Sequence, residues 1–218
     1  MTAPLRAIRG IVFDLDGTLV DSFDDIAGHL NAALVDAGLP TRTHAEIRGW
    51  IGSGAGHLVA EAAGHSARAV DVLARYRAHY LAAPFGRTCV FAGLSAVLDA
   101  QVASGRVLGV LSNKPHELVV PIADQLLAAW PFRVVIGERV GRPRKPDPEA
   151  VLPLLAELGL APAQCAFVGD SEIDVATARA AGMPGIAVTW GLRDPTALAS
   201  IGPDFLVATP AELAALFG

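Results

Sequence analysis

The sequence predicts an α/β protein with a doubly wound parallel sheet and one inserted helical segment. Short apolar runs that end in turn residues alternate with longer segments of helical periodicity, which is typical of parallel strands and their crossover helices. About 90 residues separate the first predicted strand from the second, whereas a crossover connection needs only a few dozen. The excess length predicts an insertion directly after the first strand.

Six strands are predicted in the sheet. They cover residues 9–14, 107–112, 133–136, 165–169, 185–189 and 205–208. The helices between them supply right-handed crossovers. Gly159 and Gly182 each follow an apolar stripe of helical spacing, and a glycine at that point commonly ends a helix.

The inserted segment is predicted to be helical throughout. Its first helix covers residues 22–36, and Thr43 and Glu46 have the spacing of a capping box at the start of the next. The glycine-rich residues 52–56 precede a short helix to about residue 63 and a longer one over residues 66–82. We therefore expect a core domain of residues 1–20 and 88–218 and a helical cap domain of residues 21–87.

Composition excludes several classes of protein. Of 218 residues, 52% are hydrophobic and only 18% charged, so a disordered chain is excluded. Mean hydropathy is +0.44, but the longest stretch without a charged residue is the 13 residues between Arg179 and Arg193, too short to span a membrane. The net charge of −5 provides no excess of positive charge to attract nucleic acid or anionic lipid.

The sequence also gives expectations for cellular location, oligomeric state and the cysteines. The first 13 residues contain no apolar segment of signal length, so we expect a cytoplasmic protein, acting as a monomer or homodimer on a small molecule. Cys89 and Cys165 are too few for a disulfide framework and have no zinc-like spacing. We expect both thiols to be buried.

Two carboxylates follow the first strand. Asp14 and Asp16 are two residues apart, a spacing that directs both side chains to the same side of an extended chain. Ligands bind at the carboxyl ends of strands in open parallel sheets, where Gly17 and Thr18 would offer backbone N–H groups. Alone, this pattern is also that of an ordinary acidic turn.

Polar residues follow two further strands. Ser112 and Asn113 end the second, and Asp170, Ser171 and Asp174 follow the fourth. Each set alone is typical of the start of a helix. Because three strands bring polar groups to one edge while their interiors stay apolar, the sequence predicts a ligand site there.

Lysine is rare in this chain. Only Lys114 and Lys145 occur, and every other fixed cation is arginine. Lys145 lies in a rigid proline-flanked turn ahead of a helix, a place where retention of lysine suggests a need for a compact ammonium rather than the planar guanidinium of arginine. We assign Lys145 to the site and give Lys114 no role.

With these motifs in order, the sequence resembles the haloacid dehalogenase superfamily of phosphotransferases, in its phosphoglycolate-phosphatase-like branch with a helical cap. The matching motifs run from Asp14 through Ser112 and Lys145 to Asp170–Asp174. Four motifs in one order are specific, whereas each alone is weak. The resemblance implies a Rossmann-like core with an inserted all-α cap. Residues 91–93 depart from the family pattern, which commonly has proline before the glycine, and this affects only the hinge.

The resemblance also implies a mechanism. Asp14 is expected to be the nucleophile that forms an aspartyl-phosphate, and Asp16 the acid and base for the leaving group and the water. Mg²⁺ is the expected cofactor, held by the carboxylates of Asp14 and Asp170 and the backbone carbonyl of Asp16.

Further residues are expected to bind phosphate or support the site. Phosphate contacts are expected from Lys145, the Ser112 hydroxyl and N–H groups near Gly17, Thr18 and Asn113. Asp174 and Ser171 are expected to orient Lys145 and the metal's waters. Candidate substrate contacts are Gly52, Ser53, Gly54, His116 and Trp190.

The expected substrate is a small phosphomonoester, with 2-phosphoglycolate first. Cap arginines such as Arg42, Arg48 or Arg87 could bind its carboxylate, but sequence does not separate them from surface charge. A phosphatase for a sugar phosphate and a phosphosugar mutase stay open as alternatives. An inactive regulatory or scaffold protein is a third, disfavoured because the motif residues are all present.

Overall fold

A computed structural model describes residues 5–218, and its centre is a six-stranded parallel sheet. The strands are β1 (Gly10–Phe13), β2 (Val20–Asp21), β3 (Cys89–Val90), β4 (Val107–Pro115), β5 (Phe132–Glu138), β6 (Cys165–Gly169), β7 (Gly185–Val188) and β8 (Phe205–Val207). The sheet order is β5-β4-β1-β6-β7-β8, and β2 and β3 form a separate antiparallel ribbon. All six predicted strands are therefore confirmed.

Residues 5–218 also form ten α-helices. They are α1 (Phe23–Asp36), α2 (His44–Trp50), α3 (Gly54–Ala62), α4 (Ala69–Ala82), α5 (Leu94–Ala103), α6 (His116–Leu126), α7 (Leu152–Leu158), α8 (Glu172–Ala181), α9 (Pro195–Ser200) and α10 (Pro210–Phe217). Short 3₁₀ helices cover Pro148–Ala150 and Pro162–Gln164. The predicted ends of α7 and α8 are confirmed, since Gly159 and Gly182 follow them with φ of 68° and 71°.

Strand β1 lies at the middle of the sheet. Phe13, its last residue, pairs with Val110 of β4 on one side and Val168 of β6 on the other. Side chains of β1 alternate between two apolar layers, with Ile11 and Phe13 in one and Val12 in the other. All four residues of the strand are buried. The carboxyl ends of β1, β4 and β6 consequently lie side by side.

The inserted segment is helical, as predicted. Helices α1 to α4 lie between the strands of the β2–β3 ribbon, and α1 packs on α4. The capping box of α2 is confirmed, since Thr43 N–H donates to Glu46 Oε2 at 2.8 Å and Glu46 N–H to Thr43 Oγ1. The ribbon was outside the prediction because strands of two residues carry no periodicity.

Asp25 of α1 secures the chain where it leaves the inserted helices. Its carboxylate accepts the backbone N–H groups of Arg87 at 2.9 Å and Thr88 at 2.8 Å, and the Thr88 hydroxyl at 2.5 Å. Burial alone would raise the pKa of Asp25, but these hydrogen bonds lower it overall. The segment before β3 is therefore fixed to the first inserted helix.

The expectation that both cysteines are buried is wrong for one of them. Cys165 is buried in β6, whereas Cys89 is exposed. Cys89 pairs with Asp21 across the ribbon, and both side chains lie on its solvent side. None of the helices in residues 5–218 has the length and apolarity needed to cross a bilayer.

Candidate active site

Three carboxylates meet at the carboxyl ends of the central strands. Asp14 directly follows β1, Asp170 directly follows β6, and Asp174 lies in the first turn of α8. Each offers an oxygen within 4.8 Å of the others, and all three residues are buried. The pairing of β1 with β6 produces this cluster, because it aligns the two strand ends.

A single ammonium group lies inside this cluster. Lys145 Nζ is 2.9 Å from Asp14 Oδ1 and donates to Asp174 Oδ1 at 2.6 Å. Burial alone would lower the pKa of Lys145, but the charges of Asp14 and Asp174 raise it overall. Lys145 is therefore a permanent cation beside Asp14.

One cation does not balance three carboxylates. Burial, with repulsion from Asp174, raises the pKa of Asp14 to about 6 even though Lys145 opposes the shift. Burial and the charges of Asp174 and Asp14 likewise raise the pKa of Asp170 well above its usual range. The cluster thus has an excess of negative charge that a further cation would compensate.

The donor set fits a hard divalent cation. Asp14, Asp170 and Asp174 offer only oxygen atoms, and Mg²⁺ binds through carboxylates while keeping several waters. Two glycines leave room around Asp170, since a Cβ at Gly17 or Gly191 would collide with its carboxylate. The N–H of Leu192 donates to Asp170 Oδ2 at 2.6 Å and so fixes the orientation of that carboxylate.

The backbone of Lys145 is held by Asn113. The side-chain amide of Asn113 donates to the carbonyl of Lys145 at 2.9 Å and accepts its N–H at 3.0 Å. The same amide donates to the carbonyl of Gly52 at 3.0 Å. Asn113 therefore joins β4, the turn that carries Lys145 and the inserted helical segment.

A cavity of about 50 Å³ is lined by Asp14 and Asp170 of this cluster, whereas Lys145 and Asp174 lie behind its lining. The polar lining comes from the core, and the mostly apolar remainder comes from the helical cap with Pro115 and Leu192 of the core. The polar lining comprises Asp14, Asp16, Ser112, Asn113, Lys114, Asp170, Ser171 and Arg193, and the cap lining comprises Ile26, Ile51, Gly52, Gly54, Ala55, Leu58 and Tyr76. The arrangement can enclose a small anion against Asp14.

Asp16 faces the same cavity and is tightly bonded. Its carboxylate accepts the Ser22 hydroxyl at 2.5 Å and lies 3.0 and 3.2 Å from Lys114 Nζ. Lys114 also donates to the Tyr80 hydroxyl of α4 at 2.8 Å. Asp16 is thus held by one group from the chain leading to α1 and one from β4.

A family model described as haloacid dehalogenase-like hydrolase matches residues 11–188. The chain belongs to the haloacid dehalogenase-like hydrolase family. The match contains every polar residue of the carboxylate cluster and both lysines, whereas Arg193 of the cavity lining follows its end.

Individual relatives of this hydrolase are similar over nearly the whole chain. A phosphoglycolate phosphatase of Yersinia pseudotuberculosis is 38% identical over 98% of this chain and 94% of its own. One of Xanthomonas campestris pv. campestris is 36% identical over 96% of each chain. The crystal structure of a predicted phosphoglycolate phosphatase from Haemophilus somnus superposes with a TM-score of 0.87 at 29% identity, covering 95% of this chain and 96% of that one.

Some expected substrate contacts lie at the cavity and others do not. Gly52 and Gly54 line it, whereas Ser53 precedes α3 without reaching it. His116 lies outside the lining and accepts the N–H of Gly137 at 3.2 Å through Nδ1. Trp190 also lies outside it, donating from Nε1 to the carbonyl of Thr18 at 3.1 Å. His116 therefore contacts the end of β5, and Trp190 contacts the turn after β1.

The backbone N–H groups of Gly17 and Thr18, which were expected to bind phosphate, donate to carbonyls of their own turn. The N–H of Gly17 donates to the carbonyl of Val20 at 2.9 Å, and that of Thr18 to Leu15 at 3.3 Å. Neither residue lines the cavity. The expected phosphate contacts of Gly17 and Thr18 do not match this conformation, because the tight turn after β1 uses those donors.

The suggested cap arginines are all directed elsewhere. Arg42 donates from Nε to the carbonyl of Ala62 at 2.8 Å. Arg48 lies over the ring of Phe23 at 4.3 Å. Arg87 forms an exposed ion pair with Asp24 at 3.1 Å. In residues 5–218, none of these three arginines lines the site cavity.

Two cations at the cavity were not expected from sequence. Lys114, to which the sequence assigns no role, is 6% exposed and donates to Asp16. The rarity of lysine in this chain is a signal that applies to Lys114 as well as to Lys145. Arg193, from the loop after β7, pairs with Glu172 and donates to the carbonyls of Arg48 and Ile51. Arginine is common in this chain, and no comparable signal singled out Arg193.

Proposed function

We propose that this hydrolase is a Mg²⁺-dependent phosphatase that acts on the phosphomonoester of a small metabolite, with 2-phosphoglycolate as its substrate. The observation that carries the proposal is the position of Asp14, a buried carboxylate at the cavity floor with Lys145 Nζ 2.9 Å away and Asp16 facing the same space. The two curated relatives compared above bear the name phosphoglycolate phosphatase.

The chemistry begins with Asp14. Its carboxylate oxygen attacks phosphorus, an Asp14–phosphorus bond forms, and the bond from phosphorus to the ester oxygen breaks. Asp16 gives its proton to the leaving alkoxide. Water then attacks phosphorus while Asp16 takes back a proton, and the Asp14–phosphorus bond breaks to release inorganic phosphate.

The surrounding groups neutralise and orient the phosphoryl group. An approaching carboxylate and phosphate oxygen repel by roughly 4 kcal/mol per pair of charges at 4 Å and an effective dielectric constant of 20. Lys145 opposes that repulsion, and the Ser112 hydroxyl faces the same cavity. Asp174 holds the Lys145 ammonium in position, and Ser171 in turn donates to Asp174 at 2.6 Å.

The metal has a defined set of residues in this proposal. The carboxylates of Asp14 and Asp170 and the backbone carbonyl of Asp16 would hold Mg²⁺, with Asp174 bonded to its waters. When bound there, Mg²⁺ would supply positive charge that offsets the repulsion between Asp14 and the phosphoryl group. The excess negative charge of the carboxylate cluster supports this assignment.

The inserted helices act as a lid in this proposal. The cap comprises residues 21–87, and the core comprises residues 88–218 with residues 1–20, of which 1–4 lie outside the described structure. The cap closes the cavity with apolar side chains such as Leu58 and Tyr76, which exclude water other than the attacking molecule. The enzyme works in the cytoplasm, as a monomer or homodimer.

Phosphate release from a panel of small esters tests the proposal. We expect release that requires Mg²⁺ and is fastest with 2-phosphoglycolate, and an Asp14→Asn chain that is slower by at least about 1,000-fold. Acid quenching during turnover should trap one phosphoryl group on Asp14, located by peptide mass spectrometry. A folded Asp14→Asn chain with wild-type activity would overturn the scheme, and isomerised sugar phosphate in place of free phosphate would identify a mutase.

A further inference from the structure

We propose that Lys114 is the specificity-determining residue of this site and binds a carboxylate carried on the same carbon as the ester oxygen. The enzyme would then select phosphomonoesters of 2-hydroxy acids as a class. The inference rests on the proposed function, which places the ester oxygen beside Asp16. The residues that line the cavity supply the argument for the carboxylate and for the length of the substrate.

The cavity offers few cations for a second negative charge on the substrate. Within residues 5–218, its cationic lining side chains are Lys114 and Arg193. Arg193 makes four hydrogen bonds, two to the Glu172 carboxylate and two to the backbone carbonyls of Arg48 and Ile51, which hold its guanidinium against the cap. Lys145 lies between Asp14 and Asp174, on the side of the phosphoryl group.

Lys114 can offer a donor to a ligand. Its ammonium carries three N–H groups and donates to both carboxylate oxygens of Asp16, at 3.0 and 3.2 Å, and to the Tyr80 hydroxyl at 2.8 Å. Two of these three bonds go to one carboxylate, so a ligand carboxylate can take the longer of them while Asp16 keeps the other, in a cavity that Lys114 lines. Since the side chain is 4% exposed, a contact with a carboxylate there is little weakened by water.

The distance between Lys114 and the ester limits where the carboxylate can be. Asp16 must lie within hydrogen-bond distance of the ester oxygen to protonate it, and Lys114 Nζ lies 3.0 Å from Asp16 Oδ1. A carboxylate on the carbon that bears the ester oxygen lies next to Asp16 and within reach of that ammonium. An uncharged tail at the same place leaves the ammonium without this partner.

The rest of the lining favours a short tail. The cap part of the lining comprises the aliphatic side chains of Ile26, Ile51, Ala55 and Leu58 together with Tyr76. The aliphatic side chains offer no hydrogen bond to a sugar hydroxyl, and a buried hydroxyl without a partner is costly. A mostly aliphatic lining therefore favours a carboxylate directly beside the ester over a longer polyhydroxy chain.

Steady-state kinetics with two esters tests the role of Lys114. The esters are 2-phosphoglycolate and ethyl phosphate, which lacks the carboxylate. In Lys114→Met, we expect the ratio of their kcat/KM values to fall by about 10- to 100-fold. A matched control, Arg48→Met, removes a cation of the cap outside the cavity and should leave the ratio unchanged. If Lys114→Met slows both esters equally, Lys114 acts only through Asp16 and the proposal is overturned.

Binding gives a second readout that needs no turnover. In an Asp14→Asn chain with Mg²⁺ present, calorimetry should find 2-phosphoglycolate bound at least about 10-fold more tightly than ethyl phosphate. Adding Lys114→Met should abolish the difference. Equal affinities in the Asp14→Asn chain alone would contradict the proposal even if Lys114→Met fails to fold. If wild-type protein hydrolyses neither ester, the proposed function fails, and this binding comparison still decides the role of Lys114.

Discussion

Asn113 holds Lys145 through both backbone groups of one residue. Its amide donates to the Lys145 carbonyl at 2.9 Å and accepts the Lys145 N–H at 3.0 Å. Since Asn113 belongs to β4 and Lys145 to a turn outside the sheet, these two bonds fix the distance from the ammonium to Asp14.

Replacing Asn113 by alanine should therefore reduce both activity and stability. Misplacing a catalytic group by about 1 Å can cost about 100-fold in rate, so we expect kcat on 2-phosphoglycolate to fall about 10- to 100-fold. The lost hydrogen bonds should lower the free energy of unfolding by about 1–3 kcal/mol. Steady-state kinetics and urea denaturation measure both. A variant with unchanged kcat would show that Lys145 keeps its position without Asn113.

Neutralising Asp14 should stabilise the metal-free protein at neutral pH. The pKa of Asp14 is raised to about 6 in the folded protein, so the folded protein binds a proton at Asp14 more tightly than the unfolded chain does. Stability due to this group is therefore greatest below pH 4 and falls as the pH rises from about 4 to 6. With EDTA present, Asp14→Asn should exceed wild type by on the order of 2 kcal/mol at pH 7.5, and the gain should shrink at pH 5. Urea denaturation at both pH values is the measurement, and a loss of stability at pH 7.5 would contradict the charge balance described here.

Magnesium should stabilise the folded enzyme through Asp170. A ligand at 100 times its Kd adds about 2.7 kcal/mol to the free energy of unfolding, which is about 5–10 °C in Tm for a chain of this size. Differential scanning calorimetry with Mg²⁺ should show that rise in wild type and little of it in Asp170→Asn. A rise of the same size in both proteins would place the ion elsewhere.

Loss of Arg193 should loosen the cap. Its guanidinium donates to the carbonyls of Arg48 and Ile51 at the end of α2, so Arg193→Met should speed hydrogen exchange of amides in residues 44–56. The matched control is Arg179→Met, since Arg179 also donates to two backbone carbonyls, Ile201 and Gly202, away from the cavity. Equal exchange in residues 44–56 for wild type and Arg193→Met would show that the apolar contacts alone hold the cap.

Asp25 should contribute stability that depends on pH. Its pKa is lowered in the folded protein, so its contribution is complete above about pH 4 and is lost as the pH falls through the folded value. At pH 7, Asp25→Asn should lower the free energy of unfolding by about 1–3 kcal/mol, with a smaller difference at pH 3. Asp24→Asn is the control, because its exposed ion pair with Arg87 contributes little. If the difference in free energy of unfolding between Asp25→Asn and wild type does not change with pH, the effect comes from the altered hydrogen-bond geometry and not from the charge of Asp25.

Sequence was sufficient for the sheet and for the cluster at its edge. Strands such as β1 and β6 are apolar runs bounded by turn residues, and Asp14 and Asp170 directly follow them, so strand pairing brings them together. The roles of individual residues in the site stay predictions until the variants above are measured.

Contacts between the cap and the core could not be predicted from the sequence. Arg48 and Arg193 are both arginines on polar segments, and only the packing of α2 against the loop after β7 determines which of them lines the cavity. Lys114 was passed over for the same reason, because its partner Tyr80 is 34 residues away in the chain.

The different environments of the two cysteines make the chain suited to single-site labelling. Burial raises the pKa of Cys165 to about 11, which keeps that thiol protonated and unreactive at neutral pH. The exposed thiol of Cys89 lies in the short ribbon through which the cap joins the core. A maleimide fluorophore would therefore attach to the unmodified sequence in this ribbon and would report any movement of the cap relative to the core.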